Sequence, residues 1–234
     1  MDLKECNVAK NRHPWELSRT DIILRELSNL NISGDVLDIG CGDSYFDENL
    51  LKTFKDVNCL YGIDINLEES KHGERAHYIN NYEEIKDKKF DVILLMDVIE
   101  HIEDDNNFLD SIKKYLKDDG VILITVPAFM CLYGVHDKFL NHFRRYNFKM
   151  LKNVLDKNNY KILNWSYFYF SLFLVRLFTK EKEIGVNSWS LKESNPKTFI
   201  LRTILNFDYL VLRALSKLHI HLPGLSLIAL VKKG

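Results

Sequence analysis

The stretch Val36-Leu37-Asp38-Ile39-Gly40-Cys41-Gly42-Asp43-Ser44 constrains this chain more than any other. Val36, Leu37 and Ile39 make a short apolar run suited to a buried strand, and Gly40 and Gly42 bring the backbone freedom of a ligand-cradling turn. Beyond this turn the chain alternates strands with helices. Residues 59–63, 76–79, 91–96 and 121–126 read as strands two to five, the last two as continuous apolar runs buried on both faces. Residues 12–30 and 147–158 carry helical spacing, and 46–54 is the first crossover helix. Such alternation predicts an α/β fold, a parallel sheet with right-handed crossovers and its ligand at the carboxyl ends of the strands. Residues 160–165 and 225–231 read as two further strands.

A dinucleotide turn would place a third glycine where Tyr45 stands. Asp38 argues against a pyrophosphate more strongly, since a carboxylate at the strand end repels phosphate and attracts a cation. S-adenosylmethionine (SAM) has no phosphate and carries an ammonium and a sulfonium. Asp64, after Tyr61-Gly62-Ile63, sits where a carboxylate accepts from both ribose hydroxyls, a role that NAD enzymes share. The VLDIGCG string resembles the first motif of class I SAM-dependent methyltransferases, with Ser44 where that family usually has its last glycine. The resemblance covers about residues 34–126. It implies SAM as cofactor, bound by Asp38, Gly40, Cys41, Gly42, Asp64, Ile65, Asn81 and Asp97. It also implies a seven-stranded Rossmann-like sheet of order 3-2-1-4-5-7-6. About 60 residues separate the last two strands, far more than a hairpin needs, so a helical insertion is expected between strands six and seven. The expected organisation is one domain: a helical segment at 1–33, a SAM-binding core at 34–165, an insertion or lid at 166–222 and a last strand at 223–234.

Asp97-Val98-Ile99-Glu100-His101-Ile102 follows the fourth strand and resembles the family motif beside the reactive methyl group. Asp97, Glu100 and His101, with His136 or His142, also resemble the ligand set of metal-dependent small-RNA and quinone O-methyltransferases. The same string occurs in metal-free members, where it starts a helix, and no metal is assigned. Residues 136–146 follow the fifth strand, where substrate loops enter. Methyl transfer from sulfonium needs proximity, plus a base when the nucleophile is a hydroxyl. His142 and His136 are the candidate bases, with Arg144 and Arg145 available to clamp a carboxylate or phosphate. The expected catalytic set is therefore His142, His136, Asp97 and Arg145. The string resembles an H-D/E-x(4)-H-Y/F-R-R-Y pattern in methyltransferases linked to cell-surface glycan and lipid pathways, with Asn141 for the usual glycine. That likeness implies O-methylation of a small-molecule acceptor: a saccharide, a lipid-linked compound or a phosphorylated metabolite. A structural loop whose arginines pair with surface acids is the competing reading.

With 32 Lys and Arg against 33 Asp and Glu, the chain has a formal charge of −1, and no global field favours nucleic acid or an anionic membrane, so partners are argued from local sites. Cys6, Cys41, Cys59 and Cys131 lack CxxC pairing and read as reduced core thiols, and the polar first residues carry no secretory signal, so a cytoplasmic location is expected. Residues 167–178 are strongly apolar, and 199–218 form an amphipathic pattern with apolar residues at 200, 204, 207, 211, 215 and 218. These segments pack as a lid over the acceptor or lie in a membrane interface, so peripheral contact through 166–218 is open, with the lid favoured. A non-catalytic SAM-fold subunit that docks a partner through the insertion is the main rival function. A NAD-dependent oxidoreductase ranks behind it.

Overall fold

The computed structural model describes residues 11–179 and 191–234. Helix α1 (Pro14–Ser28) starts at His13, whose ring accepts from the Trp15 amide while Glu16 accepts from the His13 amide, so two orphan donors are satisfied reciprocally. Next along the chain are β1 (Gly34–Ile39), α2 (Tyr45–Thr53), β2 (Val57–Ile63), β3 (Lys71–His72), β4 (Ala76–Ile79) and β5 (Phe90–Met96). Then come α3 (Asp105–Ile112), β6 (Leu116–Pro127), α4 (Val135–Phe139), α5 (Phe148–Lys157) and β7 (Tyr160–Phe168). Two helices, α6 (Phe170–Phe178) and α7 (Pro196–Lys217), precede the last strand, β8 (Ser226–Lys233).

The strands form one sheet in the order β3-β4-β2-β1-β5-β6-β8-β7. β1 is parallel to β2 and β5, β2 to β4 and β5 to β6, whereas β8 is antiparallel to β6 and β7. The seven-stranded expectation is corrected to eight: the additional strand is the two-residue β3, antiparallel to β4 at the sheet edge. A single exposed Lys-His step carries no periodicity, so nothing in the sequence marks it. The helix α3 is likewise hard to see in sequence, because it buries only Asp105, Leu109 and Ile112.

Each face of the sheet has its own core. Ile93, Ile122 and Ala229 pack with Leu109, Ile112, Leu151 and Leu155 under α3 and α5. Val36, Leu94 and Leu230 pack with Ile22, Ile23, Leu27, Leu50 and Tyr209 under α1, α2 and α7. Of the cysteines, Cys41 is buried, Cys59 half-buried and Cys131 exposed, so Cys131 is not the core residue expected. Cys6 lies outside the described residues.

β7 runs three residues past its expected end, to Phe168, and Tyr169 turns the chain into α6 with a left-handed backbone, φ 66°. At that joint Gly224 lies so close that a Cβ on it would meet the Phe168 carbonyl oxygen at 2.2 Å. Backbone cannot retreat as a flexible side chain can. Gly224→Ala should therefore destabilise by about 1–3 kcal/mol, read as a lower midpoint in thermal and urea unfolding.

Candidate functional site

A cavity of about 620 Å3 opens at the carboxyl ends of β1, β2 and β5. Its floor is Ile39 and Gly40 from β1 and its turn, Ile63 at the end of β2 with Asp64, Ile65 and Asn66 after it, and Met96 at the end of β5 with Asp97 after it. Asp64 accepts from the amides of Gly42 (3.1 Å) and Asn66 (2.8 Å), which fixes its carboxylate at the cavity edge. Asp97 adopts φ 56°, a left-handed conformation that aspartate tolerates better than most residues. Its carboxylate accepts from Thr125 Oγ1 at 3.1 Å and pairs with Arg19 of α1, which with Trp15 also lines the cavity.

The other end of the cavity is built by residues 136–145. Asp137, at the third position of α4, accepts from the Gly134 amide at 2.8 Å. It is fully buried and takes two more hydrogen bonds, from His142 Nδ1 at 2.9 Å and from Arg145 Nε at 2.8 Å. Burial pushes this carboxyl up, but the hydrogen bonds from His142 and Arg145 and the Arg145 charge outweigh burial and hold it below the ordinary carboxylate range. An ionised Asp137 can only accept, so Nδ1 of His142 donates to it, and in the neutral imidazole Nε2 is then the nitrogen with the lone pair. The His142 ring meets His101 edge to face, with centroids 4.6 Å apart. Phe143 N donates to Glu100 O at 2.7 Å and Tyr146 Oη to Asp105 at 2.7 Å, which stitches this loop to the segment after β5.

Of the residues expected at the site, Gly40, Asp64, Ile65, Asp97, His136, His142 and Arg145 line the one cavity. Asp38, Cys41, Gly42 and Asn81 do not. Asn81 caps a short helical turn by accepting from the Glu83 amide, and Cys41 is buried toward β2 beside Gly62. The anion clamp is corrected. Arg145 is held by Asp137, while Arg144 donates to the carbonyls of Ile102 (2.9 Å) and Glu103 (2.6 Å) and pairs with Asp105 at 3.0 Å. Each guanidinium of the expected clamp is thus paired with an acid.

The family described as a methyltransferase domain matches residues 11–180. The chain belongs to that family. Its curated relatives include ubiquinone biosynthesis O-methyltransferases. That of Bartonella quintana is 33% identical over 174 residues, covering 63% of this chain and 66% of the relative. That of Actinobacillus pleuropneumoniae serotype 7 is 30% identical over 133 residues, covering 48% and 55%. The chain thus spans about half to two thirds of the length of these relatives. A SAM-dependent methyltransferase of Archaeoglobus fulgidus has the same fold, with TM-score 0.52, 17% identity and coverage of 92% and 94%. So does the 1,6-didemethyltoxoflavin-N1-methyltransferase of Burkholderia thailandensis, solved with S-adenosylhomocysteine, with TM-score 0.53, 15% identity and coverage of 92% and 76%. SAM is the cofactor that membership in this methyltransferase family implies.

Within the methyltransferase fold, three features escape sequence reasoning. Asp137 is overshadowed by its neighbouring histidines, although an acid three residues after Gly134 is a helix-start signal. Arg19, on the expected helix, reaches across to Asp97. Asp38, expected to meet the cofactor, is instead wholly buried against Asp47 of α2. Among the described residues their carboxyls have no hydrogen-bond partner but each other. Burial pushes Asp38 up to about 7, and burial and then the Asp38 charge raise Asp47 well above the carboxylate range.

The unfolded chain ionises these acids near pH 3.9, so the native state holds the extra proton from there to about pH 7 and beyond. Stability from this pair is therefore full below about pH 4 and is lost as pH rises through 7. Asp47→Asn, whose amide can donate to Asp38, should flatten that fall. Thermal midpoints of the cofactor-free protein between about pH 5 and 8 measure the slope in both proteins.

Proposed function

We propose that this chain is an O-methyltransferase that moves the methyl group of SAM to the hydroxyl of a small, partly apolar acceptor. The observation that carries this reading is His142, backed by the buried Asp137, lining the same cavity as the Gly40 turn and Asp64. SAM would lie along the strand ends from Gly40 to Asp64, leaving the space toward Ile102, Phe108, Leu140, Phe143 and Leu172 for the acceptor. His142 Nε2 takes the hydroxyl proton as the oxygen attacks the methyl carbon in line, and the sulfonium leaves as a neutral thioether. The methyl–oxygen bond forms as the methyl–sulfur bond breaks, and the proton rests on an imidazolium that Asp137 stabilises. The apolar lining and the O-methyltransferase names of the relatives support a hydroxylated ring with an apolar substituent.

Asp64→Ala should weaken SAM binding in calorimetry, while NAD fails to bind the parent protein. On a panel of hydroxylated aromatic acceptors, His142→Ala should lower kcat about 10²–10⁴-fold with SAM affinity unchanged. Full activity in His142→Ala would reduce the loop to a structural role, and failure of SAM to bind the parent protein would favour the non-catalytic subunit.

A second reading has its own observation. Donor atoms of Glu100, His101 and His142 lie within 4.8 Å of one another, and the buried Glu100 carboxylate has no hydrogen-bond partner among the described residues. Burial and then the Asp97 charge raise Glu100 well above the carboxylate range, so a cation there would relieve an uncompensated group. One carboxylate and two imidazoles suit a divalent transition metal, which would lower the pKa of an acceptor hydroxyl. Asp97, the expected further ligand, is already engaged by Arg19 and Thr125. If a metal binds, Zn2+ or Mn2+ should raise the thermal midpoint of the parent protein and leave that of Glu100→Gln unmoved. Equal shifts in both would place the ion elsewhere.

A further inference from the structure

Helix α7 is apolar on two faces. Its inner seam of Thr198, Leu205, Tyr209 and Leu212 is buried on α1 and β7. The stripe that the sequence marks as the helix's apolar face points the other way: Ile200 is 55% exposed, Ile204 50%, Phe207 66% and Leu218 69%, with Val211 at 41%. Phe199 and Leu210 widen it, and Thr203 is the polar residue within it. A helix of 22 residues, about 33 Å long, thus presents an apolar strip along its length. An ordinary surface helix carries charge there. The expectation of a lid is corrected for this element, because no α7 residue lines the cavity.

Helix α6 continues the strip. Leu174, Val175, Leu177 and Phe178 are exposed, Phe178 to 86%. On the same helix Leu172 and Arg176 line the cavity, so the apolar surface reaches the cavity wall.

Charge decides what covers it. From residue 191 to 234 the sequence has Lys192, Lys197, Arg202, Arg213, Lys217, Lys232 and Lys233 against two acids, Glu193 and Asp208. Asp208 is turned inward, accepting from the amide and hydroxyl of Ser171 at 2.9 Å each. Arg202 and Arg213 are neutralised by Asp21 and Glu26 of α1. Lys197 and Lys217, both exposed, stand at the two ends of the apolar strip. A two-fold pairing of α7 with its copy would find no outward acid within the helix to meet those lysines, since its one acid, Asp208, is turned inward. A bilayer surface with anionic headgroups offers apolar depth for the strip and phosphates for its ends. No helix among the described residues is long and apolar enough to cross a membrane, so the geometry is that of an element lying in the interface.

We propose that the outer faces of α6 and α7 dock this protein on an anionic lipid bilayer, with the cavity wall at the membrane surface. An acceptor with an apolar substituent would then enter with that substituent still in lipid. Docking itself does not depend on which acceptor is methylated, so its failure and the failure of the proposed activity are separate results.

The test is co-sedimentation of the full chain with vesicles of phosphatidylcholine alone and of phosphatidylcholine with phosphatidylglycerol. The parent protein should bind the anionic vesicles, and less so at high salt. Phe207→Glu, at an exposed position, should weaken that binding at least about tenfold, the loss expected from one buried aromatic side chain, with thermal midpoint and SAM affinity unchanged. The double change Lys197→Glu with Lys217→Glu should remove the preference for anionic vesicles. No binding by the parent protein, or undiminished binding by Phe207→Glu, would overturn the proposal. So would a dimer in sedimentation velocity that Phe207→Glu dissolves without any vesicle binding.

Discussion

The turn at Gly40 is the constraint on which the site depends. The chain leaves β1 with φ 78°, its amide donating to Ile63 O at 2.7 Å, and a Cβ there would stand 2.9 Å from Val98 of the segment after β5. Any side chain would have to push that segment away, at a strained backbone angle as well. Because Gly40 allows the close approach, the ends of β1, β2 and β5 converge and leave their acids around one cavity. Asp64 and Asp97 face each other's neighbourhood through this convergence alone, being 33 residues apart in sequence.

How legible each feature is in the sequence depends on how strongly it is tied to local pattern. Strands buried on both faces need continuous apolar runs, so β5 and β6 are legible, and the glycine turn marks where the site forms. The same double burial hides the fate of Asp38. In a strand exposed on one side, alternation says which way a side chain points; between two cores it does not, and the carboxylate meets Asp47 of the packed helix instead of the cavity. Histidines 136 and 142 mark a site by residue type. That His142 has Asp137 behind it is a tertiary fact, set by the return of the chain after α4 so that His142 N donates to Asp137 O and the ring to its carboxylate. The arginines illustrate the opposite error, since two adjacent cations look available in sequence and are both engaged in the fold.

The wall of the cavity is held from outside. Tyr169 donates to Trp15 O at 2.6 Å, fixing the start of α1 against the β7–α6 joint. Farther along α1, Asp21 accepts from Arg202 Nε at 2.6 Å and from Asn206 at 2.7 Å, and Ser18 donates to Asn206 at 2.9 Å. These contacts set the rotation of α1, and that rotation aims Arg19 at Asp97. The insertion is therefore part of the cavity's construction even where it does not line it.

Glu26 shows why this arrangement is firm. It is 3% exposed, takes the Tyr209 hydroxyl and Arg213 Nε on one carboxylate oxygen, and has Asn164 and Arg213 near the other. A buried carboxylate adds little net stability when fully paired, yet stranding it by removing a partner costs about 3–5 kcal/mol. The α1–α7 contact is thus specified by geometry more than by net attraction, because only one rotation of α7 satisfies Glu26 and Asp21 together. That rotation buries the seam through Leu205 and Tyr209, and the apolar stripe through Ile204 and Phe207 is left outward as its consequence. A helix that could turn freely would bury the broader apolar stripe. The acids of α1 prevent that.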